Sequence, residues 1–379
     1  MKEIEKFFKQ KTENLTFIEL KPGTKTKFNR FIIDSNIPLP ILVDELITEI
    51  KERRAQDEIK ISSIIRGMIY TIGVDSNFPY IDKYKDILYS FDEKIEDFIL
   101  YNGVKFIKEG LLDDGLIYLR SLITLNKENV DGLYNYGVAL EEKAKKYLEL
   151  RNEKKANLFI NESTRQFENI LEIDTAYSLA YYKLGYHYKL NKQFIKCKIM
   201  WEKFLTLSEN EELKEEIKLS LLEIQDDIIY EEGYNEIFTG NPVKGLEKLL
   251  PLKEKYSDWW NLLFIIGLGY RQIGDFVKAK EEFESVLSIV PGQVDALNEL
   301  GLCLANLGQF EEAIERFTEA YKKRPKDYEI LCNRGMTYLQ MGIIDKAKED
   351  IQKAYDENPL DEITIACMKE IERIEEMTR

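Results

Sequence analysis

The chain has a single histidine, His187, set between Tyr186 and Tyr188, so it offers no histidine cluster, no HExxH pair and no Ser-His-Asp set. We read His187 as an ordinary surface or flank residue. Four cysteines, Cys197, Cys303, Cys332 and Cys367, lie 29 or more residues apart with no CxxC, which points to reduced, space-filling thiols and no metal. There is no P-loop and no GxGxxG. The longest apolar stretch, residues 259–270, contains Asn261 and falls short of the ~20 residues that span a bilayer. The opening MKEIEKFFKQ is charged and has no apolar run of the signal-peptide type. We therefore expect a cytoplasmic protein with no catalytic residue, no metal, no cofactor and no membrane contact.

Positive charge is also scarce. A net charge of -15 argues against nucleic acid, whose phosphates are bound by Lys and Arg. The first 30 residues are an exception at +4, seven Lys and one Arg against four Glu, and read as a solvated segment. At 44% hydrophobic and 32% charged the chain is too apolar to be disordered. Its high use of Ile, Lys, Asn and Tyr fits an AT-rich bacterial genome.

What the chain does have is period. Gly233, Gly267, Gly301 and Gly335 recur every 34 residues, and Gly240, Gly274, Gly308 and Gly342 follow each at +7. A repeat this long marks an array whose units bury their apolar faces only against their neighbours. In one unit Leu297, Leu300, Gly301 and Leu304 form the stripe of a first helix, Ala313, Phe317 and Ala320 that of a second, and Pro325 closes it. The next repeats this at Leu331, Gly335, Tyr338, Ala347, Ile351, Ala354 and Pro359, and the one before at Leu263, Gly267, Tyr270, Ala279, Phe283 and Pro291. These positions resemble the tetratricopeptide repeat (TPR) family, whose helix-turn-helix unit carries L-G, Y, A, F, A and P in this order. The resemblance implies an all-α, right-handed α-α superhelix.

The pattern weakens toward the amino terminus but keeps its phase, through Gly233, Gly185, Gly137 and Gly103, to give seven units over residues 93–361. The steps from Gly137 to Gly185 and from Gly185 to Gly233 are 48 residues, so two units are lengthened by 14, about four helical turns. The first insertion lies in 141–163, where both helices should be longer than usual. The second gives 211–238 as either one long helix or an extra one. Residues 362–379 read as a capping helix with Ile363, Cys367, Ile371 and Ile374 on one face.

Residues 1–92 lack the period and read as a small α+β domain. Runs at 15–20 and 28–33 around Lys21-Pro22-Gly23-Thr24 predict a hairpin, and helices are expected at 40–54, with Pro38 and Pro40 at its entry, at 61–72 and at 80–90. Asp34, Asp44 and Glu45 supply carboxylates there, but no nucleophile or base accompanies them.

Helical spacing turns the fifth and ninth positions of each first helix away from its partner, toward what in the TPR family is the concave face. The fifth position reads Leu100, Tyr134, Tyr182, Tyr230, Phe264, Asn298 and Cys332; the ninth reads Val104, Val138, Tyr186, Tyr234, Leu268, Leu302 and Met336. Tyr134, Tyr182, Tyr186, Tyr230, Tyr234 and Phe264 are the candidate peptide-binding residues, joined by Asn298 and Asn333 as isolated amides for a peptide backbone. The opposing reading makes the aromatics core. Trp259-Trp260 reads as a helix-start staple. The Lys and Asn set of the family's carboxylate clamp for chaperone tails is missing. The expected function is a non-enzymatic scaffold or adaptor holding a peptide or partner segment. A peptide-sensing bacterial regulator of the TPR pheromone-receptor type is the alternative.

Overall fold

The computed structural model describes residues 3–21, 25–28, 31–51 and 60–378. The chain divides into two compact units, Met1–Lys218 and Leu219–Arg379, each described by itself.

The first unit begins with helix α1 (Glu3–Lys9), a short 3-10 turn, strands β1 (Leu15–Ile18), β2 (Lys25–Phe28), β3 (Phe31–Asp34) and β4 (Leu39–Leu42), and helices α2 (Val43–Lys51), α3 (Ile61–Val74) and α4 (Ile81–Phe91). The strand pairing differs from the hairpin expected. β1 pairs antiparallel with β4, Leu15 opposite Leu42, while β2 pairs with β3 inside that frame, Phe28 opposite Phe31. Residues 22–24 of the expected turn lie outside the described residues. Pro40, read as a helix entry, instead lies in β4, and the helix starts at Val43. The reason is packing: Leu39 and Ile41 are buried, and a β-carbon at Gly67 of α3 would lie 2.0 Å from the Pro40 carbonyl oxygen. A two-stranded sheet leaves β4 one free edge, where a missing N–H costs nothing. Glu45 is held by a two-pronged ion pair with Arg66, at 2.5 and 2.9 Å.

Antiparallel helix pairs follow. In the first unit they are α5 (Ile95–Lys108) with α6 (Leu112–Leu125), α7 (Val130–Glu149) with α8 (Glu153–Ile173), and α9 (Ser178–Leu190) with α10 (Phe194–Leu207). Helix α11 (Glu211–Glu223) comes next and belongs to no pair. The second unit has α12 (Gln225–Phe238) with α13 (Pro242–Lys255), α14 (Trp260–Gln272) with α15 (Phe276–Ile289), α16 (Val294–Asn306) with α17 (Phe310–Lys323), α18 (Tyr328–Gln340) with α19 (Ile344–Glu357), and a last helix, α20 (Glu362–Thr378). Among the described residues no strand lies beyond β4. The open choice for 211–238 resolves to two helices, α11 and α12, with the break at Ile224.

Each pair closes where a glycine of the first helix meets a large side chain of the second. A β-carbon at Gly137, Gly267 or Gly301 would fall 2.6, 2.8 or 2.6 Å from the rings of Phe167, Phe283 and Phe317, and one at Gly185 would fall 2.0 Å from Trp201 Nε1. The +7 glycines make the turn between the helices. Gly274 has φ 81°, and the Asp275 N–H reaches back to the Tyr270 carbonyl at 2.9 Å, a left-handed helix end that glycine adopts without steric cost. Arg151 and Lys192 hold the same turn at φ 54° and 56° in the two pairs where the glycine is missing. Pro291, Pro325 and Pro359 each lie two residues past a second helix.

Packing runs without a break from the amino-terminal elements into the first pair. Ile65, Met68 and Ile72 of α3 share one buried cluster with Tyr84, Ile95, Ile99 and Leu122. Arg120 of α6 donates to the Gly73 carbonyl at 2.8 Å and forms an ion pair with Glu5 of α1 at 2.6 Å. At the other terminus Cys367 and Ile371 of α20 are buried as expected, but Ile363 is exposed and Thr364 takes the inner place, 3.5 Å from Cys332 Sγ. All four cysteines are free and buried.

His187 is not a surface residue. It is 2% exposed, with Nε2 at 2.8 Å from Glu141 Oε1, Nδ1 at 2.7 Å from Thr164 Oγ1, and its ring edge-on to Phe167 at 5.5 Å. Lys183 Nζ lies 2.6 Å from the other Glu141 oxygen. The sequence pattern could not show this, because the partners come from α7 and α8, 46 and 23 residues away. Burial pushes the Glu141 carboxyl up, but the His187 hydrogen bond and Lys183 together bring it below its ordinary value of 4.5.

Two measurements follow from this packing. Gly301→Leu should lower the stability to urea by ~1–3 kcal/mol through overpacking against Phe317, and an unchanged unfolding curve would refute the interlock. Because the folded state binds a proton at Glu141 less readily than the unfolded chain, its stabilisation is complete above 4.5 and is lost as pH falls through the folded value. Glu141→Gln should therefore cost ~1–2 kcal/mol at neutral pH, and the gap to wild type should narrow in acid. A gap that stays constant across that range would contradict the assignment.

Candidate functional site

The fifth and ninth positions of the first helices are mostly half-buried or exposed, but Leu268 and Cys332 are buried. On α5, Leu100 and Val104 line a cavity of about 440 Å³ with Asp97, Tyr101, Lys105 and Lys108, and Tyr101 is 67% exposed. On α7, Tyr134 is half-buried, its ring 5.8 Å from Phe167 and 5.6 Å from Tyr177 at the start of α9. Burial, and then Glu141, raises its hydroxyl pKa above the ordinary value of 10.

On α9 the two tyrosines act together. Tyr182 and Tyr186, one turn apart, cross edge to face at 5.2 Å, backed by Phe204 at 5.3 Å from Tyr182 and Trp201 at 4.9 Å from Tyr186. Both hydroxyls donate to Oε1 of Glu216 on α11, Tyr182 at 3.0 Å and Tyr186 in a shorter bond. Burial, followed by the bond to Glu216, pushes the Tyr182 hydroxyl well above its ordinary value of 10. Two phenol O–H groups thus donate to one carboxylate oxygen.

In the second unit Tyr230 of α12 stacks on Trp259 at 4.6 Å with 28° between planes. Trp259 is the residue that caps α14, so its role at the helix start is to cover the ring before it. Tyr234 stacks on Phe238 at 4.4 Å, and both are exposed. Phe264 of α14 meets Phe283 edge-on at 5.6 Å. Asn298 and Asn333 are not isolated amides: Asn333 Nδ2 donates to Asn298 Oδ1 at 3.0 Å, tying α18 to α16.

The aromatics thus divide. Tyr134, Tyr230 and Phe264 wedge adjacent elements together and show one edge, whereas Tyr182, Tyr186 and Tyr234 carry their polar tips outward or onto α11. Sequence reasoning missed Tyr101, Phe238 and Glu216. Phe238 stands four residues after Tyr234, and Glu216 stands 34 after Tyr182, one repeat length, which were the available signals. Among the described residues no group of His, Cys, Asp and Glu could hold a metal ion, and no helix is long and apolar enough to cross a membrane.

Comparison with known families places two matches to the tetratricopeptide repeat, over residues 294–327 and 328–359, which are the α16–α17 and α18–α19 pairs with their approaches. No curated protein matches the chain in sequence. Similar solved structures include YrrB, titled a TPR protein with an unusual peptide-binding site, at 19% identity over 66% of this chain and 97% of that one, with TM-score 0.28. PilW, a type IV pilus biogenesis factor, matches at 15% over 61% and 98%, TM-score 0.39, and the Sgt2 TPR domain of Aspergillus fumigatus at 23% over 32% and 82%, TM-score 0.30. Scores of this size carry no argument about a ligand. This chain therefore carries tetratricopeptide repeats in a helical array: two pairs match the family directly, and Gly137, Gly185 and Gly267 close on rings of their partner helices as Gly301 does.

Proposed function

We propose that the chain is a non-enzymatic cytoplasmic scaffold that holds a peptide or partner segment along the face formed by the fifth and ninth positions of its first helices. What supports this reading, in each unit taken by itself, is rings backed by neighbours at these positions: Tyr182 and Tyr186, half-buried on Phe204 and Trp201, in the first, and Tyr234, exposed and stacked on Phe238, in the second. A ring already fixed by its neighbours loses little rotamer freedom on binding and offers large contact area. The partner is a protein and not a nucleic acid, given the net charge of -15. In this scheme residues 1–92 cover the first pair, residues 93–361 supply the seven pairs and residues 362–379 close the array.

Tyr230 is a poor probe, since its loss strips Trp259 of its stacking partner. A photo-crosslinking amino acid placed at Tyr101 or Tyr234 should instead capture the same partner in the native cell, while one at Val277 or Ile199, exposed on second helices, should capture none. The double change Tyr234→Ala and Phe238→Ala should then weaken that adduct with little change in melting, since removing an aromatic anchor commonly costs ~2 kcal/mol of binding. Equal capture from Val277 would refute the assignment of the face.

A further inference from the structure

Helix α11 interrupts the pairing rule, and its fastening is unlike that of the paired helices. Glu216 lies 34 residues after Tyr182, so α11 arrives one repeat period after α9, where a new first helix is due. Yet Ile217 is its one fully buried side chain, and Leu219 and Leu222 are 60% and 66% exposed. By contrast α17 buries Ala313, Phe317 and Ala320. Among the contacts of α9 with α11 are the two phenol hydroxyls on the Glu216 carboxylate.

Helix α11 also carries supports of its own. Glu211 pairs with Lys214 at 2.8 Å and Glu215 with Lys218 at 3.2 Å, each three residues apart, and Asn210 accepts from the Leu213 N–H at 3.1 Å at the helix start. Such pairs support an isolated helix. Its acceptor, by contrast, is pre-built: the Tyr182 and Tyr186 rings are fixed by Phe204 and Trp201, with Trp201 Nε1 donating to the Tyr182 carbonyl at 3.2 Å.

We infer that the Tyr182–Tyr186 hydroxyl pair is a receptor for a carboxylate carried on a helix, that α11 occupies it in cis through Glu216, and that the partner is an acidic helical segment which displaces α11. This rests on the reading of that face as the binding face and names the ligand chemistry for it. A neutral amide oxygen can accept from phenols, but a carboxylate makes charge-assisted bonds of roughly twice the strength, which favours an acidic segment. A carboxylate satisfies both, as Glu216 does.

The probe is a labelled peptide of residues 209–224, the α11 sequence itself, added to full-length protein and followed by fluorescence polarisation. Wild type should bind it weakly, because the cis helix competes. The full-length variant Glu216→Ala with Ile217→Ala should bind at least about tenfold tighter, since apparent affinity rises with the fraction of open sites. Adding Tyr182→Phe and Tyr186→Phe to that variant, which keeps both rings, should abolish the gain, and a peptide carrying Glu216→Gln should bind more weakly. Glu216→Gln alone in the full chain, a milder change, should raise hydrogen exchange within α11 selectively. Equal peptide affinity in wild type and released variant, or a gain that survives loss of both hydroxyls, would overturn the proposal. If that happens while crosslinks from Tyr101 and Tyr234 persist, the cis-occupant idea falls and the binding face stands; if those crosslinks also fail, the face itself falls.

Discussion

A glycine on the first helix facing a large side chain on the second is the contact on which the rest of the array depends. At Gly137, Gly267 and Gly301 there is no room even for a β-carbon before the opposing phenylalanine, so the two backbones approach as closely as helices can. Crossing distance and rotation of each pair are thereby fixed. Once they are fixed, the next first helix starts at a set place, and residues about one repeat apart become neighbours. Tyr230 and Trp259, 29 apart, stack for this reason; Asn298 and Asn333, 35 apart, share a hydrogen bond; and Tyr182 meets Glu216. The chemistry of the outward face is a consequence of the interlock behind it.

This explains what could be read from the sequence. The interlock needs a particular small residue opposite a particular large one at constant spacing, so it leaves a period in the chain, and seven pairs and their turns were legible from it. Contacts made between periods leave no such trace. His187 looked like a flank residue because Glu141 and Thr164, which bury and bind it, lie on a different pair. Asn298 and Asn333 looked isolated because nothing in the spacing shows that their amides meet. In the amino-terminal segment the first apolar run holds a strand, but the second, 28–33, straddles the end of β2 and the start of β3, because alternation names neither the strand ends nor the partner strand. The choice of β4 for β1 is made by α3, whose Gly67 admits the Pro40 backbone.

The two insertions have the same length and opposite outcomes, and the difference is physical. In the second pair the added residues go equally into both helices: α7 has 20 residues and α8 has 21, against 13 and 14 in α9 and α10. Ala144 and Ala156 are fully buried in the extension, and Phe159 is buried between Tyr147 and Phe7 of α1 at 5.4 and 5.2 Å. The extension therefore has an occupant, the amino-terminal helix, whose Phe8 is also covered by the Arg120 guanidinium at 4.3 Å. The second insertion forms a single helix, with no second added helix for its leucines to pack against. Ile217 is the one fully buried residue of α11, while Leu219 and Leu222 stay exposed, so its apolar side chains are not gathered into a buried face as those of α17 are. What it can offer a neighbour is a carboxylate, and the tyrosines of α9 are placed to take it. The hydrophobic insertion is built into the scaffold, while the charged one is fastened by groups that water and other carboxylates can replace, which is the property a displaceable element requires.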